Sequence, residues 1–573
     1  MFSEVWPISI LENSCEDCFR CVRECNVKAI KSDKSQMVID EQKCIACGHC
    51  VETCPMDLIT PDSHILKVKH AIKNSSVIVA SIAPNWIAEF AHVEPHRMIE
   101  ALRLVGFTHV SESSIGASLV KRDCAEKMFS SSKMVISNTC PSITKLIKTS
   151  YPELSEHIVE SVHPTIAHAR FLKHHYGKDC VVVAIDSCTS TKMLVREHPD
   201  ELFASLTFDQ LRELLDEESI NFDLLPGNQT YQFEPYKSDD DNLYVVPRGV
   251  YNNGFLAEFN LVNSTIYNYA GLKRVKTILD SLNVEQKPQN TYVELFACED
   301  GCLYGPGNID SINLITKRIM MSSYEKGEIN GHTKRGASPV AISHKHTPTP
   351  IHTVVGEDQI TKSLEMLYMH SGDELPNCGS CGYISCRSFA KALSLGRTRE
   401  DMCVYYQKKL AQNKFTLLLR KLYSAVAVVD ENLKIVEANN NFTELLDLSV
   451  GSHLNSKITP LGGDFSPESS FDNYIANVLS SSETVIEKDV QLNDKIIKLL
   501  IFPLQKGKMA CIIARNLFEN NVSGNEIIAR TQNVINDNLE TVQKIAYLLG
   551  ENASRTEAIL NSIIESQKAL NER

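Results

Sequence analysis

Sixteen of the nineteen cysteines fall into sets spaced as metal ligands. Cys15, Cys18, Cys21 and Cys25 follow C-x2-C-x2-C-x3-C, and Cys44, Cys47, Cys50 and Cys54 repeat it, with Pro55 closing the second copy. Three thiolates at this spacing wrap three corners of an iron–sulfur cube, while the fourth points away to a neighbouring cube. Cys15, Cys18, Cys21 and Cys54 are therefore expected to hold one 4Fe–4S cluster, and Cys44, Cys47, Cys50 and Cys25 the other. C-x2-C is also zinc spacing, but zinc is bound by two cysteine pairs, which leaves the doubled eight-cysteine pattern unexplained. A further set is Cys378, Cys381 and Cys386, with Cys403 seventeen residues on. These four converge if the amphipathic stretch Ser388 to Leu395 folds back as a helix, and zinc remains the alternative to iron there.

The remaining set needs a fold to assemble it. Val77 to Ile82, Met134 to Ser137, Val181 to Ile185 and Tyr292 to Ala297 are short β-branched runs that read as buried strands between helical stretches, an α/β region. Cys140, Cys188 and Cys298 lie just past the last three runs, with Cys302 four residues later. Parallel sheets collect ligands at those carboxyl ends. An isolated buried cysteine is more often a small hydrophobe, so this pattern alone leaves both readings open.

Three resemblances add to these readings. Residues 11 to about 62 resemble a bacterial two-cluster ferredoxin, departing from it where Asn26 replaces the usual proline after the fourth cysteine. Residues 70 to 315 resemble the core of the FeFe hydrogenase large subunit, through Ile136-Ser-Asn-Thr-Cys140-Pro141, Asp186-Ser-Cys188-Thr-Ser-Thr-Lys192 and Glu294-Leu-Phe-Ala-Cys298-Glu-Asp-Gly-Cys302-Leu-Tyr-Gly-Pro306-Gly307. This resemblance implies a 4Fe–4S cube on Cys140, Cys188, Cys298 and Cys302, with Cys302 bridging to a two-iron subsite that carries carbon monoxide and cyanide. Gly305 and Gly307 would let backbone approach the cluster. Cys378-Gly-Ser-Cys381-Gly-Tyr-Ile-Ser-Cys386 resembles the small cluster-binding domain of corrinoid iron–sulfur proteins, which favours 4Fe–4S for the fourth set.

Departures from the hydrogenase pattern bear on activity. Catalytic members place a proton-relaying cysteine immediately before the first ligand, where this chain has Thr139, whose hydroxyl is a poor proton carrier. The lysine expected three residues after the second ligand is Thr191, and Lys192 is displaced by one. The acid six residues after that ligand is Leu194, with Glu197 three residues late. Glu294 alone of that path stays in register. These losses imply slow or absent turnover on intact cluster ligands. His163, His168, His174 and His175 read as surface or hydrogen-bonded core histidines, and Cys124, Cys180 and Cys511 as structural thiols.

Residues 323 to 356 read as an extended connector, mobile or draped over a neighbour. From Phe415 a helix, a hairpin turning at Asp430-Glu-Asn432, a helix opened by Asn439-Asn-Asn-Phe442, and strands near Val485 to Leu492, Lys495 to Pro503 and Met509 to Ala514 describe a small antiparallel sheet with helices on one side. That order resembles a PAS domain, whose ligand the sequence does not reveal. Ile528, Ile535, Val542 and Leu549 recur every seven residues with Leu539 and Ala546 between them, a coiled-coil seam or bundle face, and a homodimer is the expected state. With no histidine after His453 and no nucleotide loop, output would pass by contact.

The expected architecture is multidomain α/β and α+β: a two-cluster ferredoxin over 1–70, a hydrogenase-like core over 71–322, a linker and short helix over 323–370, a 4Fe–4S domain over 371–412, a PAS domain over 413–518 and output helices over 519–573. Hydrophobic residues at 43% and charged residues at 23% fit a soluble globular chain with no membrane span. The amino terminus has no secretory pattern, which places the cysteines in a reducing, cytoplasmic compartment. A net charge of −13 without a basic stripe argues against nucleic acid. The leading expectation is an iron–sulfur redox or hydrogen sensor reporting to a kinase or phosphatase. The alternatives are a working hydrogenase, or an electron-transfer protein serving another redox protein.

Overall fold

The computed structural model describes the chain apart from residues 1–5, 12–14, 34–35, 131–133, 236–240, 252, 262, 283–289, 309–311, 326–339, 352–354, 371–374, 446–470, 481–484, 493–494, 517–533, 537, 540–541 and 544–573. It divides into two units, residues 1–409 and 410–573.

In the first unit the amino-terminal strands pair as two short antiparallel ribbons, β1 (Ile8–Ile10) with β4 (Ile59–Pro61) and β2 (Ile30–Asp33) with β3 (Gln36–Ile39). Between them lie two five-residue helices, Arg20–Glu24 and His49–Thr53, each running from one cysteine loop to its fourth cysteine. Gly48 precedes the second helix at φ 78°, a left-handed turn that glycine adopts without strain.

The expected α/β region is two parallel sheets. One orders β6 (His109–Glu112), β5 (Ile78–Ile82), β8 (Val181–Asp186) and β9 (Ala204–Thr207); the other orders β10 (Thr265–Ala270), β11 (Thr291–Phe296) and β7 (Val135–Ile136). All neighbours within each are parallel, with Ile82 opposite Ile185 and Val293 opposite Ile136. Every residue of β5, β9 and β11 is buried, which is why these strands read as unbroken apolar runs. A short strand, β12 (Glu299–Cys302), follows β11 directly.

The connector after residue 339 is draped on the core, one of its two expected forms. Ile342 is buried and accepts from the Val162 amide, His344 and Thr349 donate to Glu160 and Lys148, and His346 bonds the Ser161 carbonyl. The short helix Glu357–Met366 follows, and the fold-back helix spans Cys386–Ser394, closed at its start by a reciprocal Ser385–Ser388 cap.

In the second unit five antiparallel strands take the order β14 (Ile435–Ala438), β13 (Ala425–Asp430), β17 (Met509–Asn516), β16 (Lys495–Gln505) and β15 (Ile486–Leu492). The hairpin turn is where expected: Asp430 Oδ1 accepts from the amides of Asn432 and Lys434. Helices on one side proved too narrow an expectation. Ala425, Ala427 and Val429 face Phe442, Ile475 and Val478, whereas Val426 and Cys511 on the other face pack with Leu419, Phe415 and Leu422. Strand alternation gives both faces apolar residues, so both are covered. Of the expected heptad face, Ile535, Leu539 and Val542 lie in helical turns and are exposed, while Ile528, Ala546 and Leu549 lie outside the described residues.

Candidate metal centres

Cys140, Cys188, Cys298 and Cys302 line one cavity at the carboxyl ends of both parallel sheets. Cys140 caps the helix Pro141–Ser150 with proline at its first turn, and Cys188 stands two residues before the cap of Thr191–Glu197. Both thiols therefore sit where helix-start amides stabilise negative charge. Burial pushes the Cys140 thiol up, opposed by the amides of Ile143, Ala297 and Ser142. Burial and the nearby Asp186 push Cys188 up to about 12, opposed by Ser190, whose hydroxyl lies 2.9 Å from the sulfur. Burial raises Cys298 and Cys302 well above their ordinary value. Thiols so desolvated stay protonated until a cation replaces the proton.

Four buried or half-buried thiols on one wall are the donor chemistry that an iron–sulfur cluster takes. The cavity also holds an orphan: Asn85 donates to Ser187 Oγ and the Cys302 carbonyl, but its buried Oδ1 has no partner. A Cβ at Gly305 would lie 2.5 Å from the Ser187 carbonyl, so only glycine lets that loop close the wall. Gly307 has a different role from the expected one: its space is bounded by Thr207 and its amide donates to Ser187, and it does not line the cavity.

Thr139 lies on the cavity wall, 5% exposed, with its carbonyl bonded to His163 Nε2 at 2.8 Å. Lys192 is turned elsewhere. Its ammonium donates to the Ser205 carbonyl at 2.6 Å and to Gln210 at 2.9 Å, and it is absent from the cavity wall. One residue further along a helix is a rotation of about 100°, enough to aim this side chain at β9. Burial pulls Lys192 down to about 7. Leu194 is buried in a hydrophobic cluster and, with Glu197, lines a neighbouring surface groove that shares Pro141 and His163 with the cavity. Glu294 is fully buried behind the cavity, with Oε2 accepting from the Arg248 amide at 3.1 Å and Oε1 unpartnered.

His163 lines this cavity, which sequence reasoning did not foresee, while His168 is a core histidine held by Ser81 and Ser111. Asn85 and Tyr244 were also missed. Asn85 carries one usable signal: it follows β5 as Cys188 follows β8, at the same sheet edge.

The thiols of the two amino-terminal quartets lie close enough to act on one another. The charges of Cys18, Cys15 and Cys54 add to burial in pushing Cys21 up to about 12, and Cys47 and Cys50 are raised by burial with contributions from Cys25 and Cys44. Amides of Ala29 and Ala46 point at the sulfurs of Cys25 and Cys44, at 3.3 and 3.4 Å. Cys47 is itself part of the core cavity wall. Thr189 Oγ1 donates to the Ala46 carbonyl at 2.7 Å, and a Cβ at Gly48 would lie 2.2 Å from Pro306.

Cys378, Cys381, Cys386 and Cys403 line a further, small cavity, with amides of Asn377 and Tyr406 on Cys386 and Cys403. Cys124, Cys180 and Cys511 are buried in three different hydrophobic clusters, and Cys302 packs against the one that holds Cys124.

Family models match three segments: a 4Fe-4S dicluster domain over residues 7–64, the model described as iron only hydrogenase large subunit, C-terminal domain, over 76–306, and a putative Fe-S cluster over 376–405. No curated protein sequence matches. Similar solved structures include an FeFe-hydrogenase studied for stepwise H-cluster assembly, at 15% identity and TM-score 0.38, covering 47% of this chain and 91% of that one. A variant of FeFe-hydrogenase HydA1 from Chlamydomonas reinhardtii matches at 15% identity and TM-score 0.38, covering 50% and 92%. The PAS domain of an HTR-like protein from Haloarcula marismortui matches at 16% identity and TM-score 0.17, covering 19% and 95%. Among the described residues no helix is long and apolar enough to cross a membrane. On its family matches, the chain is a hydrogenase-like iron–sulfur protein with a ferredoxin-like domain at its amino end and a further Fe–S segment beyond its core.

Proposed function

We propose that the chain is a redox or hydrogen sensor in which the core cluster reads the signal and a PAS-type second unit passes it on by contact. In this reading Cys140, Cys188, Cys298 and Cys302 hold a 4Fe–4S cube, the ferredoxin quartets two more, and Cys378, Cys381, Cys386 and Cys403 a fourth. A two-iron subsite attached through Cys302 would supply reversible hydrogen chemistry at the same cavity. The observation that carries the reading is the cavity wall itself: all four thiols are kept, while Thr139 supplies only a hydroxyl, Leu194 is packed in the core and Lys192 is spent on Ser205 and Gln210. Slow proton delivery suits a protein that needs to register a reduction once, and disables one that must turn over rapidly.

A route to the output begins at the last ligand. The helix Val404–Lys421 starts on the residue after Cys403. Its end is held by Asn439, whose side-chain amide donates to the carbonyls of Leu419 and Ser424. A conformational preference that differs between reduced and oxidised clusters by about 1.4 kcal/mol shifts a two-state output tenfold, equivalent to about 60 mV for one electron.

The test uses chain produced anaerobically with the hydrogenase maturation machinery. Infrared bands in the carbon monoxide and cyanide region, cluster bleaching under hydrogen and only slow hydrogen release from reduced dye are the expected results. Fast release would make the chain a working hydrogenase. Absence of both the bands and the bleaching would leave a cubane-only redox protein.

A further inference from the structure

The 378–403 motif lies more than three hundred residues from the ferredoxin segment, yet the two share one hydrophobic core. Ile8, Val22, Ile30, Met37 and Ile59 pack in the same cluster as Tyr383, Phe389 and Met402. Contact is closest at Gly382, where an added Cβ would lie 2.6 Å from Arg23 Cα and 2.8 Å from its carbonyl oxygen. At φ 79° this glycine brings one cysteine loop flush against the helix that ends at Cys25.

Polar contacts fix the same seam. Lys28 donates to the carbonyls of Val22 and Arg23, at 3.3 and 2.6 Å, and its ammonium lies 5.2 Å from the Tyr383 ring centre. The Lys28 ammonium, three residues after Cys25 in the chain, thereby meets a ring two residues after Cys381. Arg399 pairs with Asp17 at 3.3 Å and lies over the Phe19 ring, and Arg397 pairs with Asp40 at 3.6 Å. A separate module on a tether needs none of these contacts.

We propose that the 378–403 cluster is an electron terminal of the ferredoxin, exchanging single electrons with the Cys25-side cluster across the Gly382–Arg23 and Lys28–Tyr383 contacts. The inference rests on the cluster assignments made above. The step is an outer-sphere transfer: one cube loses an electron as the other gains it, no bond forms or breaks, and an external one-electron donor supplies the charge. Cys378 is exposed, and so is Ile384 in the same cysteine segment, at 95%. The path inward runs through the Cys44, Cys47, Cys50 and Cys25 set to Cys47 on the core cavity wall.

Electron paramagnetic resonance of the full chain, reduced anaerobically with dithionite, tests this. A C378A/C386A variant removes the terminal cluster. Subtracting its spectrum from that of the intact chain should leave signals split by a neighbouring spin, and a difference spectrum matching one isolated cubane would overturn the inference. Gly382→Ala keeps all sixteen ligands but forces the seam apart, so iron content should hold while the splitting falls; splitting retained at full strength would count against the assigned contacts. Iron analysis separates the two levels of the argument. If C378A/C386A loses no iron, the ligand assignment is wrong and the inference fails with it, whereas loss of about four irons with no spin coupling refutes the exchange path alone.

Discussion

Glu294 offers the sharpest check on the electrostatics of the core. Its carboxyl is fully buried, has one amide donor on Oε2 and none on Oε1, and burial pushes it from 4.5 up to about 8. A shift of that size corresponds to about 5 kcal/mol in favour of the protonated form. At pH 7 the folded chain therefore carries a neutral acid behind Cys302, while the unfolded chain carries a carboxylate. Because the folded value is raised, the stabilisation is complete below about 4.5, declines as pH rises, and is gone above about 8. Negative clusters placed nearby push the same way. The assay is an anaerobic infrared titration comparing the chain with Glu294→Gln. A protonated carboxyl band should be present at pH 7, disappear with a midpoint near 8, and be missing in the variant. A midpoint below 6, or no band lost on substitution, would refute the account of Glu294 as a desolvated acid.

Thr139→Cys puts a thiol on the cavity wall, and hydrogen release by the matured chain should rise by about a hundredfold, the lower end of what a positioned proton carrier contributes; an unchanged rate would remove proton delivery as the limiting defect. Gly48→Val drives a Cβ into Pro306 and strains a left-handed turn, together about 3 kcal/mol, so the brown chromophore should bleach at lower urea than in the parent chain. Asn439→Ala strips partners from the Leu419 and Ser424 carbonyls and the Val426 and Phe442 amides, costing about 3 kcal/mol. Amides of β13 and β17 should exchange about a hundredfold faster, with the first unit unaffected.

What could be read before the fold was known follows from the range of each constraint. Ligands three or four residues apart announce themselves locally, so the two quartets Cys15 to Cys25 and Cys44 to Cys54 were legible from spacing. Cys140, Cys188 and Cys298 became legible through buried strands that end just before them. Asn85 and His163 were not, because neither residue type has a spacing rule and each reaches the cavity only through tertiary packing. Lys192 shows the limit of motif matching: a shift of one residue along a helix redirects a long side chain to Ser205 and Gln210. The division of the core into two sheets was hidden because a buried parallel strand looks the same in either. The seam at Gly382 was hidden because nothing local marks a contact between residues so distant in the chain.

The placement of Cys47 in the core wall has a consequence for how the molecule comes to maturity. A loop made of closely spaced thiols takes its final shape only once iron is bound, and this loop is one side of a different metal compartment. Order in the Cys44 to Cys54 loop and closure of the core cavity are therefore one property: a substitution that loosens the loop also opens one side of the compartment lined by Cys140, Cys188, Cys298 and Cys302.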